Sequence, residues 1–267
     1  EMTHWLSGRG IPVPELYHYD EALRVLLLED LGDLTMALAL EKMDRGSLYK
    51  KAIDLLVAFQ GRTEHPEPAL VARQGAMDRS LLSWELEHYV EWRLEEDLAL
   101  DVSSQRAQLD ASFSHLLDLL DEIPTRLSHR DFQSKNIMVG KRGELTLIDF
   151  QDALIAPYVY DLVALLRDSY VVLPIDEVKD HVSYYSKEAR AAGIIQETDG
   201  DVWHHFLLQT VQRKLKDTGR FVFIDRVKNN PSFMQYRQPS MSYVHHALSE
   251  LPELRELREL LGVMDSL

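Results

Sequence analysis

Between residues 16 and 28 the apolar positions come in short blocks, and beyond Gly32 they change to a spacing of three and four. Residues 16–19 and 24–28 read as two short strands around an Asp20-Glu21 turn. Before them, residues 1–8 read as helix, broken by Gly8-Arg9-Gly10-Ile11-Pro12-Val13-Pro14. After Gly32, Ile53, Leu56, Val57 and Gln60 share one face of a predicted helix over 46–61. Leu82, Leu86, Tyr89, Val90 and Leu94 do the same over 79–98, and Phe113, Leu116, Leu117 and Leu120 mark a third helix that stops before Pro124. Residues 137–140 and 145–148 flank the turn Lys141-Arg142-Gly143-Glu144, which predicts a hairpin. From Tyr158 onward helices are predicted near 159–170, 175–191, 200–217, 239–249 and 253–262. A small β-containing start, a helical body, one hairpin and a helical tail make an α+β chain. The change of pattern at residues 29–33 marks the expected lobe boundary, dividing 1–31 from 32–267.

Length and composition narrow the classes. The 267 residues suit one large domain or two tightly joined lobes, and 45% hydrophobic with 27% charged residues is an ordinary globular balance. The net charge of -15 argues against nucleic acid and anionic membrane as partners, since both require a basic surface. No apolar run reaches the length of about 20 residues that spans a bilayer, and no signal-peptide pattern is visible. There is no cysteine, which excludes disulfides, Cys-based zinc sites and a thiol nucleophile, and is compatible with a cytoplasmic protein.

Chemistry concentrates in His129-Arg130-Asp131-Phe132-Gln133-Ser134-Lys135-Asn136. The spacing His-Arg-Asp, four residues, Asn is the catalytic-loop signature of kinases. Phosphoryl transfer requires a carboxylate to orient the attacking hydroxyl and oxygen ligands for the cation that neutralises the phosphates. Asp131 supplies the first, and Asn136 an amide oxygen. The predicted hairpin then returns the chain to Asp149, in Ile148-Asp149-Phe150-Gln151-Asp152, a second cation ligand. A metal site built from His129, Asp131 and Asp149 alone is the competing reading, but it leaves Asn136 without a task.

These residues resemble the aminoglycoside phosphotransferase and choline kinase superfamily, which has a protein-kinase-like fold. Phe150-Gln151 stands where protein kinases have Phe-Gly, and no Ala-Pro-Glu segment closes an activation loop. The wording is most similar to bacterial kinases that phosphorylate the anomeric hydroxyl of N-acetylmuramate and N-acetylglucosamine in cell-wall recycling. The stretches that carry this are 28–32, 129–134, 149–153, 160–168 and 212–216. The resemblance implies an ATP-dependent phosphotransferase using Mg2+ with a sugar or amino sugar as acceptor. Asp131 would be the catalytic base, and Asn136 and Asp149 the magnesium ligands. Glu29, Asp30 and Leu31 would form the adenine-binding hinge, and Arg130, Gln133, Asp152, Arg167 and Arg213 would line the substrate side. A monomer or weak dimer is expected.

The same resemblance calls for a glycine-rich phosphate loop and a strand lysine paired with a helix glutamate. No Gly-x-Gly-x-x-Gly occurs, and the first lysine, Lys42, lies beyond the expected hinge. Residues 1–31 are therefore expected to be the remnant of an N-lobe that has about 40–70 further residues, judged by the elements such a lobe needs. The alternatives are an aminoglycoside or choline-type phosphotransferase and, from another class, a non-catalytic pseudokinase or binding module. Several residues also have plainer readings. Asp161 is expected to hold backbone donors, His129 to be a packed hydrogen-bonded histidine, Arg130 to position the loop, and Arg167 and Asp168 to form a solvated helix end. Trp84 and Trp92 are expected in helix packing, and His204-His205 and His245-His246 not to share a metal, because adjacent helical residues diverge.

Overall fold

The computed structural model describes residues 1–64 and 75–265. In chain order the elements are α1 (Met2–Gly8), β1 (Leu16–Asp20), β2 (Val25–Leu28), α2 (Met36–Ala39), α3 (Arg45–Arg62) and α4 (Arg79–Tyr89). Helix α4 passes directly into a π-helical segment, Val90–Asp97. Then follow α5 (Arg106–Asp121), β3 (Thr125–Ser128), β4 (Ile137–Val139), β5 (Leu145–Leu147), β6 (Leu154–Pro157), α6 (Tyr160–Leu166) and α7 (Ile175–Ala191). Helices α8 (Asp199–Lys228), α9 (Arg237–Ser249) and α10 (Arg255–Met264) close the chain. This is the expected α+β arrangement. No helix among the described residues is long and apolar enough to cross a membrane.

The backbone divides into two compact units, residues 1–76 with 125–200, and 77–124 with 201–267. In the first, α3 starts at Asp44, whose carboxylate accepts the Ser47 N–H, a side-chain N-cap. Its face of Leu48, Tyr49, Ala52, Ile53, Leu56 and Phe59 is buried, as the three-and-four spacing requires. Three antiparallel strand pairs accompany the helices: β1 with β2, β3 with β6, and β4 with β5. The β4–β5 turn needs Gly143, whose φ of 78° is left-handed. On its two edges the hairpin receives other backbone: Val139 N–H donates to Leu34 O at 2.8 Å, and Leu147 N–H to Pro12 O at 2.9 Å.

The second unit is helical. Leu82, Leu86, Tyr89, Val90 and Leu94 are buried, as are Phe113, Leu116, Leu117 and Leu120 of α5. Arg93 of the π segment pairs with the buried Asp265 at 2.5 Å, and Tyr89 OH donates to the same carboxylate at 2.9 Å. Trp84 departs from expectation: it is 58% exposed and stacks on His88, with ring centroids 5.4 Å apart. Helix α8 runs well past its predicted end at 217. Gly219 does not stop it, because the missing side chain serves packing: a Cβ there would meet His88 O at 2.6 Å and Tyr89 Cα at 2.8 Å.

Candidate active site

The loop of residues 129–136 leaves β3 and enters β4 through a 3-10 turn, Ser134–Asn136. The partner of β3 is β6, with Ser128 opposite Leu154. Both ends of the loop, and Asp149 beyond β5, are thus carried on short paired strands.

Asp161, in the first turn of α6, is buried and holds the start of the loop. One oxygen accepts the Ser128 hydroxyl at 2.8 Å and the Arg130 N–H at 3.0 Å; the other accepts the His129 N–H at 2.6 Å. Arg130 has a φ of 73° and Asp149 one of 66°, left-handed values that cost a non-glycine residue about 1–3 kcal/mol and persist where neighbouring bonds enforce them. At Arg130 those bonds are visible, since its N–H also reaches Ser128 Oγ at 3.0 Å.

His129 is fully buried, edge-on to Phe59 and Phe132. Its Nε2 donates to the Ile148 carbonyl at 3.0 Å, which leaves Nδ1 as the unprotonated nitrogen, buried without a hydrogen-bond partner. Burial lowers its pKa, against the opposing pull of Asp161, Asp131 and Asp149, so three acids surround one neutral ring. This is the packed histidine expected from sequence.

Asp131 is half-buried, and its carbonyl organises the following turn: it accepts the Gln133 N–H at 2.8 Å and the Asn136 side-chain amide at 2.9 Å. Asn136 Nδ2 being so engaged, its Oδ1 is the end that remains for a cation. The Asn136 carbonyl accepts the Ile148 N–H at 3.1 Å, which ties the loop to the segment that ends in Asp149. Asp149 is exposed and takes the Gln151 side-chain amide at 2.9 Å.

Asp149 and Gln151 line a cleft of about 600 Å³ whose other walls include Leu16, Tyr19, Leu26 and Leu28. Glu1, Thr3 and His4 add polar groups, and the rest is aliphatic and aromatic, the mostly apolar lining with a few polar groups that small-molecule sites share. The hinge candidates follow Leu28 directly. Glu29 N–H donates to Glu15 O at 2.8 Å, and Asp30 accepts the Gly32 N–H at 2.8 Å, while Leu31 is half-buried.

The remaining candidates scatter. Gln133 is half-buried in the loop, Asp152 is exposed just beyond Asp149, and Arg167 is 2% exposed immediately after α6. Arg167 and Asp168 are therefore not a solvated helix end. Asp168 is wholly buried and accepts the N–H and hydroxyl of Ser134 at 2.8 and 2.5 Å. Sequence reasoning missed this bond, because helical periodicity carries no information about a partner so distant in the chain. Arg213 belongs to the other unit, where it is also buried. Around it Gln212 donates to Glu85 at 2.8 Å, and Lys214 to Asp217 at 2.8 Å. Burial alone would raise the Asp217 pKa, but Lys214, Lys216 and Arg213 outweigh it and hold that carboxyl well below the usual range. The paired histidines have separate partners: His204 contacts Glu253 at 2.5 Å, and His245 contacts the Asp265 carbonyl at 2.9 Å. Among the described residues no group of three or more His, Asp or Glu side chains forms a metal-binding cluster. A magnesium site does not require one, since it uses one or two protein oxygens plus water and phosphate.

Comparison with known proteins places the chain in a family. At 30% identity the chain is similar to an N-acetylmuramate/N-acetylglucosamine kinase of Pseudomonas putida, over 99% of this chain and 77% of that protein. A protein of the same name from Pseudomonas aeruginosa is 31% identical over 96% of this chain and 74% of its own length. Among solved structures, a choline/ethanolamine kinase family protein from Mesorhizobium loti matches with a TM-score of 0.60 at 17% identity, covering 96% of this chain and 80% of that one. LicA in complex with AMP matches with a TM-score of 0.62 at 15% identity, covering 92% and 77%. These structural likenesses show the protein-kinase-like fold. The model of the phosphotransferase enzyme family, APH, matches residues 1–194, and the chain belongs to that family.

Proposed function

We propose that this protein is a small-molecule kinase that transfers the γ-phosphoryl group of ATP to the anomeric hydroxyl of an N-acetylated amino sugar. The observation that carries the reading is the latch between Asp131 and Asn136, in a loop whose spacing matches the kinase signature. The relatives named as N-acetylmuramate/N-acetylglucosamine kinases support the acceptor class.

In this reading the half-buried Asp131 carboxylate takes the hydroxyl proton and aims its oxygen at phosphorus. The Asn136 amide oxygen and the Asp149 carboxylate are hard oxygen donors that suit Mg2+, and they would hold it. Bound there, the cation neutralises charge on the phosphates. The aliphatic walls of the cleft, Leu16, Leu26 and Leu28, would receive adenine, with the backbone of Glu29, Asp30 and Leu31 as its hinge. Arg130, Gln133, Asp152, Arg167 and Arg213 are the acceptor-side residues of this proposal. ATP supply and the cysteine-free sequence fit a cytoplasmic setting, with the protein acting as a monomer or weak dimer.

The test incubates the full chain with ATP, Mg2+ and, separately, N-acetylmuramate, N-acetylglucosamine, choline and kanamycin. ADP release with the two amino sugars, and a sugar 1-phosphate by phosphorus NMR, is the expected result. Turnover confined to choline or kanamycin contradicts the acceptor. No turnover with any of the four, together with no nucleotide-dependent thermal shift, contradicts the kinase reading itself.

A further inference from the structure

Helix α6 is only seven residues long, yet a buried acid stands at each end of it: Asp161 in its first turn and Asp168 two positions past its last residue. The two lie two helical turns apart in sequence. Both point their hydrogen bonds at the same loop. Asp161 takes the backbone N–H groups of His129 and Arg130, just before Asp131. Asp168 takes Ser134, just before Asn136, through both its N–H and its hydroxyl. The second oxygen of Asp168 accepts the Tyr170 N–H at 3.0 Å. Lys135, the next loop residue, sets its ammonium 3.5 Å from the centre of the Tyr170 ring. Two consecutive loop residues thus rest on the segment 168–170.

A carboxylate without solvent is costly unless donors surround it, and here three donors do. The arrangement resists displacement: moving Ser134 strands a buried charge. Ser134 lies between Asp131 and Asn136, so its position governs how far apart those two stand. We propose that Asp168 is a positioning residue for phosphoryl transfer, which with Asp161 fixes the spacing between the base and the cation ligand. This rests on the roles of Asp131 and Asn136 proposed above.

Asp168→Asn keeps the shape but turns one accepting oxygen into an amide donor. In the full chain it is expected to lower kcat at least about tenfold and to raise the Mg2+ concentration for half-maximal rate several-fold, with sugar KM within about twofold, the pattern of lost transition-state alignment. Ser134→Ala, which removes only the hydroxyl donor, is expected to shift the Mg2+ dependence the same way by a smaller factor, and stands in if Asp168→Asn does not fold. A variant with a lowered Tm but parental kcat and parental Mg2+ dependence overturns the proposal, since a merely structural role predicts that outcome. Should the parent chain turn over no acceptor, the functional reading fails on its own. The brace is then read from ADP affinity with and without Mg2+: loss of the metal-dependent gain in the variants supports it, and an unchanged gain overturns it.

Discussion

The side-chain amide of Asn136 donates to the main-chain carbonyl of Asp131 at 2.9 Å, so the two residues expected to handle proton and cation are latched to each other across the loop. Asn136→Asp sets a carboxylate oxygen against that carbonyl where a donor stood. Turnover is expected to fall about 100-fold or more, the scale of losing one preorganised electrostatic contact. Steady-state ADP release checks this, and a near-parental rate would refute the latch as a functional element.

The buried carboxylate of Asp161 accepts three donors. Asp161→Ala takes the acceptor from the Ser128 hydroxyl and the His129 N–H, while the Arg130 N–H keeps Ser128 Oγ, and the expected destabilisation is about 2 kcal/mol or more. Chemical denaturation of the purified variant measures it. A loss under about 1 kcal/mol, the size of one ordinary hydrogen bond, would mean that the loop finds other partners.

His129 gives a pH dependence of known sign. Burial lowers its pKa in the fold, so the folded protein binds the proton more weakly than the unfolded chain. The stability this represents is complete above the unfolded value of about 6.5 and is lost as pH falls below it toward the lower folded value. The slope is at most about 1.4 kcal/mol per pH unit for one group. His88 and His181 shift the same way, both chiefly through burial, so the comparison needs a variant. His129→Gln is expected to flatten the fall in Tm between pH 6.5 and pH 5 relative to the parent. Parallel curves would contradict the assignment of a neutral, Nε2-protonated ring.

Gly219 is expected to tolerate no side chain. Gly219→Ala drives a Cβ into the backbone at His88 and Tyr89, atoms that cannot swing aside as a flexible side chain would. A loss of about 1–3 kcal/mol is expected, the usual scale for overpacking. Thermal unfolding measures it, and an unchanged Tm would mean that the two helices separate easily.

Much of the site was legible because it is local. His129 to Asn136 is one continuous string, and the β4–β5 hairpin that brings back Asp149 has its turn chemistry in Lys141 to Glu144. The helix faces at Leu82 to Leu94 and Phe113 to Leu120 were equally legible, since burial imposes its own spacing. What escaped is non-local. Strands β3 and β6 are four residues each and pair across the whole catalytic hairpin, too short to show a period of two. Asp168 looked like a helix end because its partner, Ser134, lies 34 residues earlier. The continuation of α8 past residue 217 also escaped, since the backbone that Gly219 packs against is on another helix.

The most direct test of the central claim is Asp131→Asn, assayed with ATP, Mg2+ and N-acetylglucosamine beside nucleotide binding by calorimetry. The expected result is a kcat lower by about two to four orders of magnitude, the range of general-base contributions, with ATP affinity within about twofold of the parent. Parental turnover in a correctly folded Asp131→Asn protein would contradict the account.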